Sequence, residues 1–125
     1  MRYMMFIKHT QDYGNVQPPA GLYEEMGKFI EETTKSGNFV GGAGLQPTSA
    51  GTRVKLKGGK ITVVDGPFTE SKEIVGGYAI IDAKSRDEAL GLARRFMELH
   101  QKHWPTFEGE CEVRPFEEEV QPPTH

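Results

Sequence analysis

Two helical stripes, each framed by short β-rich runs, constrain this chain more than any other feature. Leu22, Met26, Phe29, Ile30 and Thr33 recur at helical spacing, as do Ala89, Leu92, Ala93, Phe96, Met97, Leu99 and His100. The first stripe lies between apolar runs at residues 2–9 and 38–45. The second lies between runs at 78–82 and 110–114. This order, β-α-β given twice with one apolar stripe per helix to bury, predicts an α+β sandwich. It is the split βαβ pattern of the ferredoxin-like fold, with both helices on one face of the sheet. Between the halves, Thr52, Val54 and Leu56 alternate with Arg53, Lys55 and Lys57, then Gly58-Gly59 precedes a second apolar run at 61–64. That pattern predicts an inserted β-hairpin with a basic outer face, projecting from the main sheet.

Local punctuation agrees with this order. Asp12, Gly14, Asn15, Pro18 and Pro19 mark a loop before the first helix, and Gly37 closes that helix. Ser85-Arg86-Asp87-Glu88 reads as a capping box, with Ser85 at the N-cap and Glu88 at the third helical position. Pro105 stops the second helix. The glycines at 41, 42 and 44 predict a weakened or bulged strand. One domain is expected over residues 1–116, followed by an acidic, proline-containing tail at 117–125.

The chain has 125 residues, enough for one compact domain with its own core. Hydrophobic content of 36% with 26% charged residues excludes the disordered class. A net charge of −3 argues against a nucleic-acid partner. No apolar run approaches the roughly 18 residues needed to span a bilayer, so no membrane partner is expected. The single cysteine, Cys111, allows no internal disulfide and makes a reducing, cytoplasmic location the expectation. On the inner face of the last strand it reads as a small core residue. No Gly-x-Gly-x-x-Gly opens a helix, no Gly-Lys-Ser/Thr follows the glycine run, and no Gly-x-Ser-x-Gly elbow occurs. No cofactor is expected. His100 and His103 share a helix face near a C-terminus that favours their protonated forms. They lack the further ligands of a zinc site, so no metal is expected either.

The residues with the densest chemistry are Asp65-Gly66-Pro67-Phe68-Thr69-Glu70-Ser71-Lys72-Glu73-Ile74-Val75-Gly76-Gly77-Tyr78. Asp65 ends an apolar strand beside a rigid Gly66-Pro67 turn, where a carboxylate is held still. Asp at such a place also caps the turn through its own side chain, and the two roles are compatible. The expected site pairs Asp65 with His9, at the end of the first strand, as acid–base groups in a pocket. Phe68 and Tyr78 would supply apolar surface, Gly76 and Gly77 close backbone approach, and Lys72, with Glu73, order in the loop around Asp65. Trp104 and Phe107 are candidates for a pocket wall, though core packing alone explains them.

This block resembles the signature of the DGPF proteins, a branch of the YciI-like (YCII-related) family. The resemblance extends from Met1-Arg2-Tyr3-Met4 to Glu112-Val113-Arg114-Pro115. It implies a homodimeric α+β barrel with pockets between sheet and helices, and a regulatory connection to extracytoplasmic-function sigma factors. The broader family pairs a histidine of its first helix with an aspartate. Residues 21–36 hold no histidine here, so that pair is not carried over. Three functions follow: an enzyme of lyase, hydrolase or isomerase type with Asp65 as general base, a non-catalytic small-molecule binder, or an interaction partner.

Overall fold

Alternation along the first strand decides which side of the sheet holds the core. In the computed structural model, which describes residues 1–9, 18–68 and 74–117, that strand is β1 (Arg2–His9). It is followed by α1 (Ala20–Lys35), β2 (Phe39–Gly44), β3 (Thr52–Lys57) and β4 (Lys60–Asp65). β5 (Ile74–Asp82), α2 (Arg86–His103) and β6 (Gly109–Pro115) complete the chain. The main sheet has the order β2-β5-β1-β6, with every pairing antiparallel. With the hairpin set aside this is the ferredoxin-like order, so the α+β reading of the sequence holds.

Tyr3 and Met5 are buried on one face of β1, opposite Ile81 and Ala79 of β5. Met5 and Ile7 meet Val113 and Cys111 of β6 on the same face. The stripe of α2 closes over them with Ala89, Leu92 and Ala93, and Phe29 of α1 packs at the edge. Burying a side chain such as Leu92 contributes about 1.5–3 kcal/mol, so this shared face is what fixes the helices on the sheet. Cys111 behaves as a core residue: burial pushes its thiol up to about 11, which keeps it protonated and unreactive.

The helix ends follow the sequence signals. Ser85 Oγ accepts from the Glu88 N–H at 3.1 Å. Glu88 does not close the box. Its carboxylate accepts instead from Asn38 Nδ2 at 2.7 Å, tying the start of α2 to the start of β2. β2 is bulged between Phe39 and Gly41, as its glycines predicted. β5 begins at Ile74, four residues before the expected start, because Gly76 and Gly77 pair with β1 and β2 inside the strand.

β3 and β4 form a separate two-stranded sheet joined at Gly58 (φ 58°) and Gly59 (φ 76°). Two successive positive φ values are what a tight type I′ hairpin needs. The register places Val54 opposite Val63 and Leu56 opposite Ile61, so four aliphatic side chains share one face. That face is not covered by the other described residues: Val54 and Leu56 are each 72% exposed. The basic face is partly covered instead, since the Arg53 guanidinium stacks 3.8 Å above the Phe68 ring. The expected burial order of this hairpin is therefore reversed within one protomer.

Candidate functional site

A cavity of about 420 Å³ lies between the helix-facing side of the sheet and the two helices. Gly76 and Gly77, near the start of β5, line it, and the space beside Gly76 is taken by the His9 ring. α1 lines it with Leu22, Met26, Phe29 and Ile30, and α2 with Phe96 and His100. Trp104 and Phe107, just after α2, close one end, and Ile7 and His9 of β1 form the floor. Among the described residues that line it, none is Asp, Glu, Lys or Arg. The titratable residues among them are His9, His100, Tyr23 and Tyr78, and the Tyr78 side chain stands on the opposite face of the sheet, across from Phe6.

The histidines sit on one aromatic platform. Phe107 meets His9 edge-on at 5.8 Å between centroids, and meets His100 at 4.7 Å. Phe96 holds the other side of His100 at 4.8 Å. His9 lies directly over Gly76: a Cβ at that position would overlap the imidazole. Glycine at 76 thus makes room for the ring.

His100 is 6% exposed, on the inner side of the last helical turns. Its Nδ1 is 3.0 Å from the Phe96 carbonyl. A carbonyl only accepts, so Nδ1 carries the proton and Nε2 carries the lone pair. His100 lines the cavity, and Nε2 is the ring nitrogen that the bond to Phe96 leaves for a guest there. Burial lowers the His100 pKa from the ordinary 6.5, opposed by the bond to Phe96 and assisted by the nearby His9 charge. The helix terminus was expected to favour the protonated ring. For His100 desolvation wins, because the side chain points into the apolar layer and not off the helix end.

The direction of this shift sets a pH dependence. Between the lowered folded pKa and 6.5 the unfolded chain binds more protons than the folded one. The stability from neutral His100 is therefore complete above 6.5 and is lost as pH falls below it. Denaturant unfolding at about pH 7.5 and about pH 5.5 should show wild type losing more stability on acidification than His100→Asn. The excess slope is at most about 1.4 kcal/mol per pH unit, that of one proton. Equal losses in both proteins would remove this role.

The other predicted site residues divide into those on the cavity and those away from it. His9, Gly76, Gly77 and Tyr78 border it. Tyr78 also pairs with Phe6 across β1 and β5, on the open face of the sheet. Asp65 and Phe68 do not line it. Asp65 is exposed at the end of β4, where Oδ1 accepts from Thr52 Oγ1 at 3.0 Å across the hairpin. Phe68 is pinned beneath Arg53, with its N–H 3.3 Å from Thr48 Oγ1. The reason is topological: among the described strands β4 pairs only with β3, so its end is not a neighbour of β1 and His9. The expected pairing of Asp65 with His9 is not formed within the protomer. Lys72 and Glu73 lie outside the described residues.

Sequence reasoning missed His100 as a cavity residue. The available signal was its place on the stripe of α2, one turn beyond Phe96, where an aliphatic residue would serve packing alone.

These features define a small α+β protein with an apolar cavity carrying two imidazoles. The chain belongs to the YCII-related family, whose domain model matches residues 1–101. It is 40% identical over 88 residues to an uncharacterised protein of Rhizobium meliloti (strain 1021). That match covers 70% of this chain and 64% of the relative, so this chain spans less than two thirds of the relative's length. Among the described residues no helix is long and apolar enough to cross a membrane.

Proposed function

We propose that this protein binds a small apolar molecule in the cavity between sheet and helices, with His9 and His100 as its proton-handling groups. The observation that carries this reading is the placement of two imidazoles on one aromatic platform in a space of about 420 Å³. That volume suits a small ligand. An imidazole held neutral is suited to accept a proton near neutral pH, which supports an acid–base reaction of lyase, isomerase or hydrolase type. The Asp65-Gly66-Pro67-Phe68 block supports placement in the DGPF branch of the family. In this chain it seats the base of the hairpin, and the acid–base role passes to the histidines.

Trp104, the only tryptophan, lines the cavity and reports on its occupancy. Titration with 4-nitrotoluene, an apolar quencher, should give saturable loss of its fluorescence. Gly76→Ala should weaken that binding by about tenfold or more, because the displaced His9 ring takes up ligand space. Quenching that stays linear with concentration in wild type, as in simple collision, would sink the reading.

The reading also includes a homodimer. Met4, Phe6, Ile80 and Tyr78 share the sheet face that carries no helix. The charges there are largely paired internally: Glu112 accepts from Lys8 Nζ at 2.6 Å and from Arg114 Nε at 2.8 Å. A second copy buries such a face at little electrostatic cost, and the exposed aliphatic face of the hairpin extends it. Sedimentation at micromolar concentration should give a dimer, and the double variant Val54→Glu, Leu56→Glu should shift it toward monomer. Wild type sedimenting only as monomer would exclude the assembly.

A further inference from the structure

We infer that the molecule this cavity accepts is a flat, apolar weak acid, a phenol or an enol, which enters uncharged and donates a hydrogen bond from its hydroxyl to His100 Nε2. This rests on the reading of the cavity as a ligand site and specifies what fills it. Three features of the cavity select the class.

The first is charge. No Asp, Glu, Lys or Arg is among the described lining residues, so none of these offers a permanent ion a fixed counter-charge. Burying an unpaired charge is far more costly than burying a neutral group that keeps its hydrogen bond. Burial disfavours the protonated form of His100 that would pair with an anion. Ammonium compounds, and anions that would need a protonated His100, are thereby selected against.

The second is the direction of the hydrogen bond. His100 gives its Nδ1 proton to the Phe96 carbonyl, so it can only accept through Nε2. Its partner must be a donor. A ketone, ether or nitrile offers none, whereas a hydroxyl does. A phenol or enol is also weakly acidic, so it stays neutral on entry and is a good hydrogen-bond donor to a neutral imidazole.

The third is shape. Phe107 packs at a tilt against His100 and lies 5.2 Å from Trp104, and Phe29 and Phe96 are 6.2 Å apart on the helix side. Aromatic faces and edges at these separations favour a planar guest in offset or edge-on contact.

The experiment compares three probes of one frame by the quenching of Trp104: 4-nitrophenol, kept protonated by working at mildly acidic pH, 4-nitrotoluene and 4-nitrobenzoate. The methyl of 4-nitrotoluene matches the hydroxyl in size and offers no donor. The carboxylate of 4-nitrobenzoate brings a full charge. 4-Nitrophenol should bind about tenfold more tightly than 4-nitrotoluene, the worth of about one buried hydrogen bond, and more tightly still than 4-nitrobenzoate. In His100→Asn the amide can still donate to the Phe96 carbonyl while the Nε2 acceptor is gone, so the affinity ratio of phenol to toluene should fall toward one. Equal binding of 4-nitrophenol and 4-nitrotoluene to wild type, or tighter binding of 4-nitrobenzoate, overturns the assignment while leaving the cavity as a ligand site. An affinity ratio unchanged in His100→Asn overturns it too. Absence of saturable quenching by all three removes the ligand site itself, and the assignment with it.

Discussion

Replacing Gly66 by alanine is expected to destabilise the protein by about 2–4 kcal/mol, read by denaturant unfolding. The Gly66 N–H donates to the Gly51 carbonyl at 2.8 Å, closing the base of the hairpin. A Cβ at Gly66 would overlap the Thr48 carbonyl, and the Gly51 oxygen is also close at 3.2 Å. Both obstacles are backbone, so no side-chain rotation relieves them. The strand end must move away, and the Gly51 bond, the Arg53–Phe68 stack and the Thr48 bond to the Phe68 N–H move with it. Gly91→Ala is the matched control. It lies inside α2 with nothing within 4 Å of an added Cβ, and it should gain about 0.5–1 kcal/mol from the better helix propensity of alanine. A Gly66→Ala protein within about 0.5 kcal/mol of wild type would mean that the turn is not held as described.

Leu22→Ala is expected to cost a similar amount, about 2–4 kcal/mol, for a different reason. Leu22 is 1% exposed and is the largest fully buried side chain among the described residues. It stands in the first turns of α1 and borders the cavity, so its truncation enlarges a space that already exists. The neighbouring Met26 and Phe29 are attached to the same helix and cannot collapse into the gap without moving α1. Leu22→Met, which nearly conserves volume, should cost less than about 1.5 kcal/mol. A Leu22→Ala loss below about 1 kcal/mol would indicate that α1 repacks freely over the sheet.

Much of the fold was legible because its determinants are local and periodic. The stripe on α1 and the alternation Tyr3, Met5, Ile7 each name a buried face without reference to the other. The ends were legible for the same reason, since the Ser85 cap and the Gly58-Gly59 turn act over a few residues. The start of β5 was not, because two glycines carry no strand signal of their own. They are strand residues only because β1 and β2 pair on either side.

The site divides along the same line. From its sequence alone the chain determined an α+β sandwich, an inserted hairpin and a histidine at the end of a central strand. Each follows from spacing and side-chain type within a short window. Only the tertiary structure decided that His9 shares Phe107 with His100 and does not pair with Asp65. The partners come from elements about ninety residues apart in sequence, His9 from β1 and His100 from α2. Which such pair meets depends on strand order and on the space left by Gly76 and Gly77, and neither quantity is periodic. The same holds for charge. The position of His100 near a helix C-terminus pointed to a protonated ring, but burial under Phe96 and Phe107 keeps it neutral, because desolvation is set by the whole packed layer and the helix terminus by one turn.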